Sequence, residues 1–240
     1  LPVIAKVAQF DSEAQAITQG WNATFQFGYL GGPVVQLQFT DGNCRAYRQA
    51  AVKPDVNFWF PTPALLNNMI AGDGITLPLI NGFWNVSLLK GFMQLSKRLE
   101  YYLKEQDGKK LTGELAEQVL TCKLAVATWA TAVLAEFDPT QAALAHSLPN
   151  GATMNMVIKP NGPNFYIKKT ANGSFLAGDG TVAEPTAALT LANLDVAASL
   201  VNGELDTMAA LGKQEIVIRG LIPLVDNLSA IMDHVESYLA

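Results

Sequence analysis

Histidine, cysteine and charge are all scarce in this chain. Its 240 residues include two histidines and two cysteines, and only 15% are Asp, Glu, Lys or Arg. Cys44 and Cys122 are too few for a disulfide framework, which predicts free thiols, a reducing compartment and a cytoplasmic protein. His146 and His234 lie far apart, and both are expected on helix surfaces or as caps. Glu236 follows His234 by two residues, the wrong step to share a helical face. No Gly-x-Ser-x-Gly elbow, Walker loop, zincin motif or Cys-x-x-Cys pair occurs. Ala71-Gly72-Asp73-Gly74 and Ala177-Gly178-Asp179-Gly180 lack the further carboxylates or the Lys-Ser/Thr of calcium and phosphate loops, so they read as turns. The expectation is a protein that is no enzyme and holds no metal or cofactor.

Basic residues are in the minority, 16 against 21 acidic, for a net charge of −5. That balance gives no global pull towards nucleic acid or anionic lipid. Long uncharged apolar runs are missing too. The nearest, Leu115 to Leu134, is interrupted by Glu117 and Lys123 and followed by Glu136, which predicts a buried helix rather than a membrane span. The sequons at Asn22, Asn85, Asn172 and Asn227 would matter only in a secreted protein; nothing resembles a signal peptide, and a leader removed before Leu1 is left open. Transient membrane contact, a protein partner and self-association are all left open.

What the chain has is a core-rich composition, 50% hydrophobic, and a repeat. Pro54-Asp55-Val56-Asn57-Phe58-Trp59-Phe60 leads to Thr62 and on to Gly72. Pro185-Thr186-Ala187-Ala188-Leu189-Thr190-Leu191 leads to Asn193 and on to Gly203. Each position of the second copy stands 131 residues after its counterpart. A period this long marks two similar domains, not a solenoid. We place them at 1–112 and 113–240. They differ in charge, +2 against −7, and in aromatic content, 15 rings against 6.

Each half opens with a helix, capped by Asp11 in the first and by Asp138-Pro139 in the second. The apolar helix over about 114–136 has no full counterpart before residue 11 and reads as a connector or first element. Strands follow over 24–29, 34–39, 44–49 and 56–60, and over 153–158, 164–168, 174–176 and 187–191. Thr62 and Asn193 cap short helices that end at Gly72 and Gly203. A fifth strand covers 215–219; its equivalent in the first half is left undecided. Amphipathic helices over about 88–103 and 221–239 close the two halves. The fold class is α+β: two tandem repeats, each a roughly five-stranded mixed sheet covered by helices.

The order of these segments resembles the sterol carrier protein type 2 lipid-binding domain. The similarity covers nearly all of 138–240. It is strongest over Ala187 to Leu191 and from Asn202-Gly203-Glu204-Leu205-Asp206 through Gly212-Lys213 to Gly220. In the first half Trp21 to Phe27 and Gly31-Gly32-Pro33 fit. The stretch Asn81 to Leu88 is two residues longer than its partner and lacks Gly-Lys. The resemblance implies an apolar tunnel or cleft between sheet and helices, and a role in carrying or presenting fatty acyl, sterol-like or other lipids.

The candidate ligand-binding side chains are therefore apolar. In the second half they are Met154, Met156, Leu189 and Leu191 on strands, then Leu200 and Met208 on the short helices. Ile216 and Ile218 on the last strand join Leu221, Leu224, Leu228, Ile231 and Met232 on the closing helix. In the first half they are Phe58, Phe60, Met69, Phe92 and Leu95. Alanine recurs in the second half at Ala187, Ala188, Ala197, Ala198, Ala209 and Ala210, and small side chains leave room where aromatic ones fill it. The second domain is expected to have the emptier interior. The competing reading is a packed interaction or dimerisation module, accessory to an enzyme acting on hydrophobic substrates and without a ligand of its own.

Overall fold

Two short helices, α1 (Pro2–Phe10) and α2 (Ser12–Thr18), open the chain and meet at Asp11. The Asp11 carboxylate accepts a hydrogen bond from the Ala14 N–H at 2.6 Å, which caps α2. The structure is a computed structural model that describes residues 1–62, 64–65, 78–106, 109 and 111–235. The chain divides into two compact units, Leu1–Gly108 and Lys109–Ala240.

In unit one, β1 (Ala23–Tyr29), β2 (Val34–Thr40), β3 (Asn43–Tyr47), β4 (Val56–Phe60) and β5 (Leu79–Asn81) form one sheet in the order β3-β2-β1-β4-β5. The central pair β1–β4 is parallel and its neighbours are antiparallel. The closing helix α3 (Val86–Glu100) runs into a single π-helical turn, Tyr101–Glu105. The undecided edge strand therefore exists, at three residues. It pairs Phe58 with Ile80 and Trp59 with Leu79.

Unit two starts with the long helix α4 (Gly113–Phe137) and a shorter α5 (Ala142–Ser147). By length and composition α4 could cross a membrane, but half of its apolar window is buried, and it packs on two strands of its own sheet. Those strands are β6 (Thr153–Ile158), β7 (Phe165–Lys169), β8 (Phe175–Asp179), β9 (Ala187–Leu191) and β10 (Ile216–Gly220). The order β8-β7-β6-β9-β10, with β6–β9 parallel, reproduces the first sheet strand for strand. Helices α6 (Leu194–Val201), α7 (Thr207–Gly212) and α8 (Ile222–Asp233) complete the unit.

The duplication extends to buried polar detail. In β1 the Gln26 amide oxygen accepts from the Ala51 N–H at 2.8 Å; in β6 the Asn155 amide binds the Val182 N–H and C=O at 3.1 and 2.9 Å. Each amide thereby fixes the loop entering the parallel strand. Gly82 and Gly220 both have positive φ, and a Cβ there would press on the carbonyl oxygens of Asp55 and Thr186. Only glycine closes the edge strand at these two points.

Three expectations change. α1 is the missing counterpart of the long helix: Phe10-Asp11 precedes α2 as Phe137-Asp138 precedes the α5 region. At nine residues it was too short to stand out. α5 begins at Ala142 because the Asp138 carboxylate accepts from the Thr140 N–H at 2.8 Å, making a turn of 138–141. Strand β8 extends through Asp179, so Ala177-Gly178-Asp179 lies in the sheet and not in a turn; Tyr166 packs over Gly178 in the space a Cβ would need. The short helix expected at 62–72 and Ala71-Gly72-Asp73-Gly74 fall largely outside the described residues.

Candidate functional site

Strand register determines which apolar side chains share a face, because alternate residues point the same way. Across β6, β9 and β10 three rows form: Met154–Ala187–Gly220, Met156–Leu189–Ile218 and Ile158–Leu191–Ile216. On β7, Phe165 and Ile167 extend the rows beside Met156 and Met154. Met154, Met156, Leu189, Leu191 and Ile216 are buried. So are Leu224, Leu228 and Ile231 of α8, a helix that packs on β9 and β10. Leu200, Ile218 and Met232 are half-buried.

Two expected members do not belong to this interior. Met208 is 80% exposed, since α7 buries Ala210 instead, and Leu221 is partly exposed at the N-cap of α8. Helix α6 is apolar along most of its length yet buries only Val196 and Ala197. Its Asn193 cap, which accepts from the Val196 N–H at 2.9 Å, fixes where it starts. Ile158, Phe165, Ile167 and Ala187 complete the face; Ile158 continues the alternation of Met154 and Met156, while strand register brings Phe165 and Ile167 of β7 beside them.

Unit one fills the same rows with rings. Phe27 and Phe58 stand where Met156 and Leu189 stand in unit two. Phe27 stacks on Phe58 at 4.8 Å, and Phe25 stacks on Phe92 at 4.9 Å. Phe92 also contacts Phe27 and Phe58, while Trp21 closes on Phe25 and Phe39. Phe60 and Leu95 are buried; Phe58 is half-buried; Met69 lies outside the described residues.

Two clefts, of about 590 and 560 Å³, lie in unit one beside α1 and β3. The larger is bounded by Gln9, Gln38, Asn43, Arg45 and Tyr47, the smaller by Gln9, Gln15, Gln19 and Asp41. Polar side chains make up much of both linings, and neither is the apolar tunnel that the resemblance implies.

The strongest electrostatic cluster is structural. Asp11 is buried and takes hydrogen bonds from Arg98 at 2.5 Å and Tyr102 at 2.6 Å as well as from Ala14. Burial opposes its ionisation, but those bonds outweigh it and hold the carboxyl below the usual carboxylate range. Desolvation and the adjacent carboxylate push the Tyr102 phenol up. Burial pushes the Cys44 thiol up to about 12, which leaves it unreactive at neutral pH. His146 and His234 are exposed, at the ends of α5 and α8. Among the described residues no group of three or more His, Cys, Asp or Glu side chains could hold a metal ion.

No protein-family model matches the chain, and no curated protein matches it. Solved structures do. The UbiJ-SCP2 ubiquinone synthesis protein is 14% identical with a TM-score of 0.35, covering 47% of this chain and 96% of its own. Sterol carrier protein 2 from Yarrowia lipolytica, in its apo form, is 16% identical with a TM-score of 0.34, over 54% of this chain and 96% of its own. A stereoselective inverting sec-alkylsulfatase, Pisa1 from Pseudomonas sp., is 16% identical with a TM-score of 0.30; the match covers 62% of this chain and 21% of the sulfatase. The chain is thus similar, about half of it at a time, to sterol carrier protein type 2 domains, and its own fold is two α+β units of one design.

Proposed function

We propose that unit two holds or presents an apolar, lipid-like small molecule between the β6–β9–β10 face and helices α6 to α8, without catalysing a reaction. The observation that carries this reading is the composition of that face. Across β6, β9 and β10 the rows hold no aromatic ring, two methionines lie in them, and the margin at Leu200, Ile218 and Met232 is half-open. Aliphatic and methionine side chains change rotamer to fit a guest, whereas the stacked rings of unit one cannot. An acyl chain gains about 0.8 kcal/mol per buried methylene. Against association costs of at least ~4 kcal/mol, this favours affinity near the micromolar range.

The competing reading, an interaction module, is favoured by the polar character of the two clefts and by exposed apolar residues in unit one. One experiment separates them. The native protein is extracted with organic solvent for mass spectrometry, and the delipidated protein is titrated with a fluorescent fatty acid. Carriage predicts co-purified lipid and saturable uptake, weakened about tenfold by Ala198→Phe on the half-buried face of α6. An empty extract together with no uptake would reject carriage.

A further inference from the structure

The two units differ at one point in a way that packing does not explain. Measured from the glycines that close the edge strands, Gly220 follows Gly82 by 138 residues; measured from the N-caps of the closing helices, Leu221 follows Asn85 by 136. The two extra residues in unit one are Phe83 and Trp84. Both are 65% exposed, and their rings touch each other edge to face at 5.3 Å.

The helix that follows carries the contrast further. Val86, Lys90, Met93 and Lys97 recur at four- and three-residue steps, so they form one stripe along α3. All four are exposed, Val86 at 52% and Met93 at 64%. With the 136-residue offset of the caps, the same stripe on α8 reads Ile222, Asp226, Ser229 and Asp233. The inward residues correspond in kind, with Phe92 matching Leu228 and Leu95 matching Ile231. The core of the helix is thus kept, and both stripes begin with an exposed aliphatic residue, Val86 or Ile222, while Asp226, Ser229 and Asp233 of α8 are matched by Lys90, Met93 and Lys97 in α3. Among the described residues no ion pair involves Lys90 or Lys97. Asp55, whose carbonyl holds the Asn85 side chain, turns its carboxylate to the Thr24 N–H at 2.7 Å.

We infer that Phe83, Trp84 and the Val86–Lys90–Met93–Lys97 stripe form a docking surface for an anionic lipid bilayer. Aromatic rings at the headgroup level, with lysines alternating with short apolar side chains on one helical face, are the chemistry of an interfacial contact. The lysines supply charge complementarity to acidic headgroups that the equivalent face of unit two, with its aspartates, opposes. The inference stands whether or not unit two carries a ligand.

The test is flotation of the full chain with vesicles of phosphatidylcholine containing about 30% phosphatidylserine, against pure phosphatidylcholine. The wild type should float with the anionic vesicles only, and should be released at about 0.5 M NaCl. Phe83→Ser/Trp84→Ser and Lys90→Glu/Lys97→Glu should each weaken binding about tenfold or more, with circular dichroism spectra unchanged. Wild-type protein that stays below the anionic vesicles overturns the proposal. So do variants that float like wild type, because binding would then use another surface. Self-association in sedimentation velocity without flotation, lost in the Phe83→Ser/Trp84→Ser variant, would assign the surface to a second copy of the chain instead.

Discussion

Asp11 answers three needs with one carboxylate: it caps α2, pairs with Arg98 and anchors the Tyr102 hydroxyl. Asp11→Asn keeps a cap but leaves Arg98 facing a neutral amide, which should cost unit one about 2–4 kcal/mol in denaturant unfolding. Its folded pKa lies below the unfolded value of about 3.9. The stabilisation is therefore complete above that value and is lost as pH falls through the folded pKa. Urea midpoints measured at neutral pH and in acid should converge between wild type and Asp11→Asn in acid. A constant difference would contradict the charge-based account. The capping role is readable from a lone Asp before a helical pattern; the partnership with Arg98, 87 residues later, is not.

At the scale of elements, the glycines after β5 and β10 give a sharp test of the duplication. Gly82→Ala and Gly220→Ala each force a side chain into a positive φ and against a backbone carbonyl. Each should destabilise its own unit by about 1–3 kcal/mol, seen as a lower urea midpoint. Alanine at Gly212, where a Cβ meets nothing within 4 Å, should by contrast leave the urea midpoint unchanged. Strand alternation, turn glycines and the 131-residue period made most of the sheet legible, because those signals are local. The three-residue edge strand and α1 were not legible, since short elements depend on what they pair with. Of the candidate residues, the buried ones on β6, β9, β10 and α8 follow from alternation and helical period, as Ile158 does, whereas the surface position of Met208 depends on tertiary packing.

For the whole molecule, duplication has kept a frame and changed its contents. Residues 1–112 hold 15 aromatic rings and a charge of +2; residues 113–240 hold 6 rings and −7. The net charge of −5 therefore hides a local excess of lysine on α3, which is why the composition alone argued against anionic lipid. Rings that stack fix one interior, and aliphatic rows leave the other adaptable.

The parallel ladder at the centre of each sheet has a further consequence for chain continuity. Phe25–Tyr29 lies against Val56–Phe60, so the segments before and after the exposed 48–50 stretch are joined by backbone hydrogen bonds in the middle of the sheet and not at its margin. A protease nick at 48–50 would sever the polypeptide without separating its halves. Nicked protein should elute as a single particle from a sizing column, and should come apart only when urea is added.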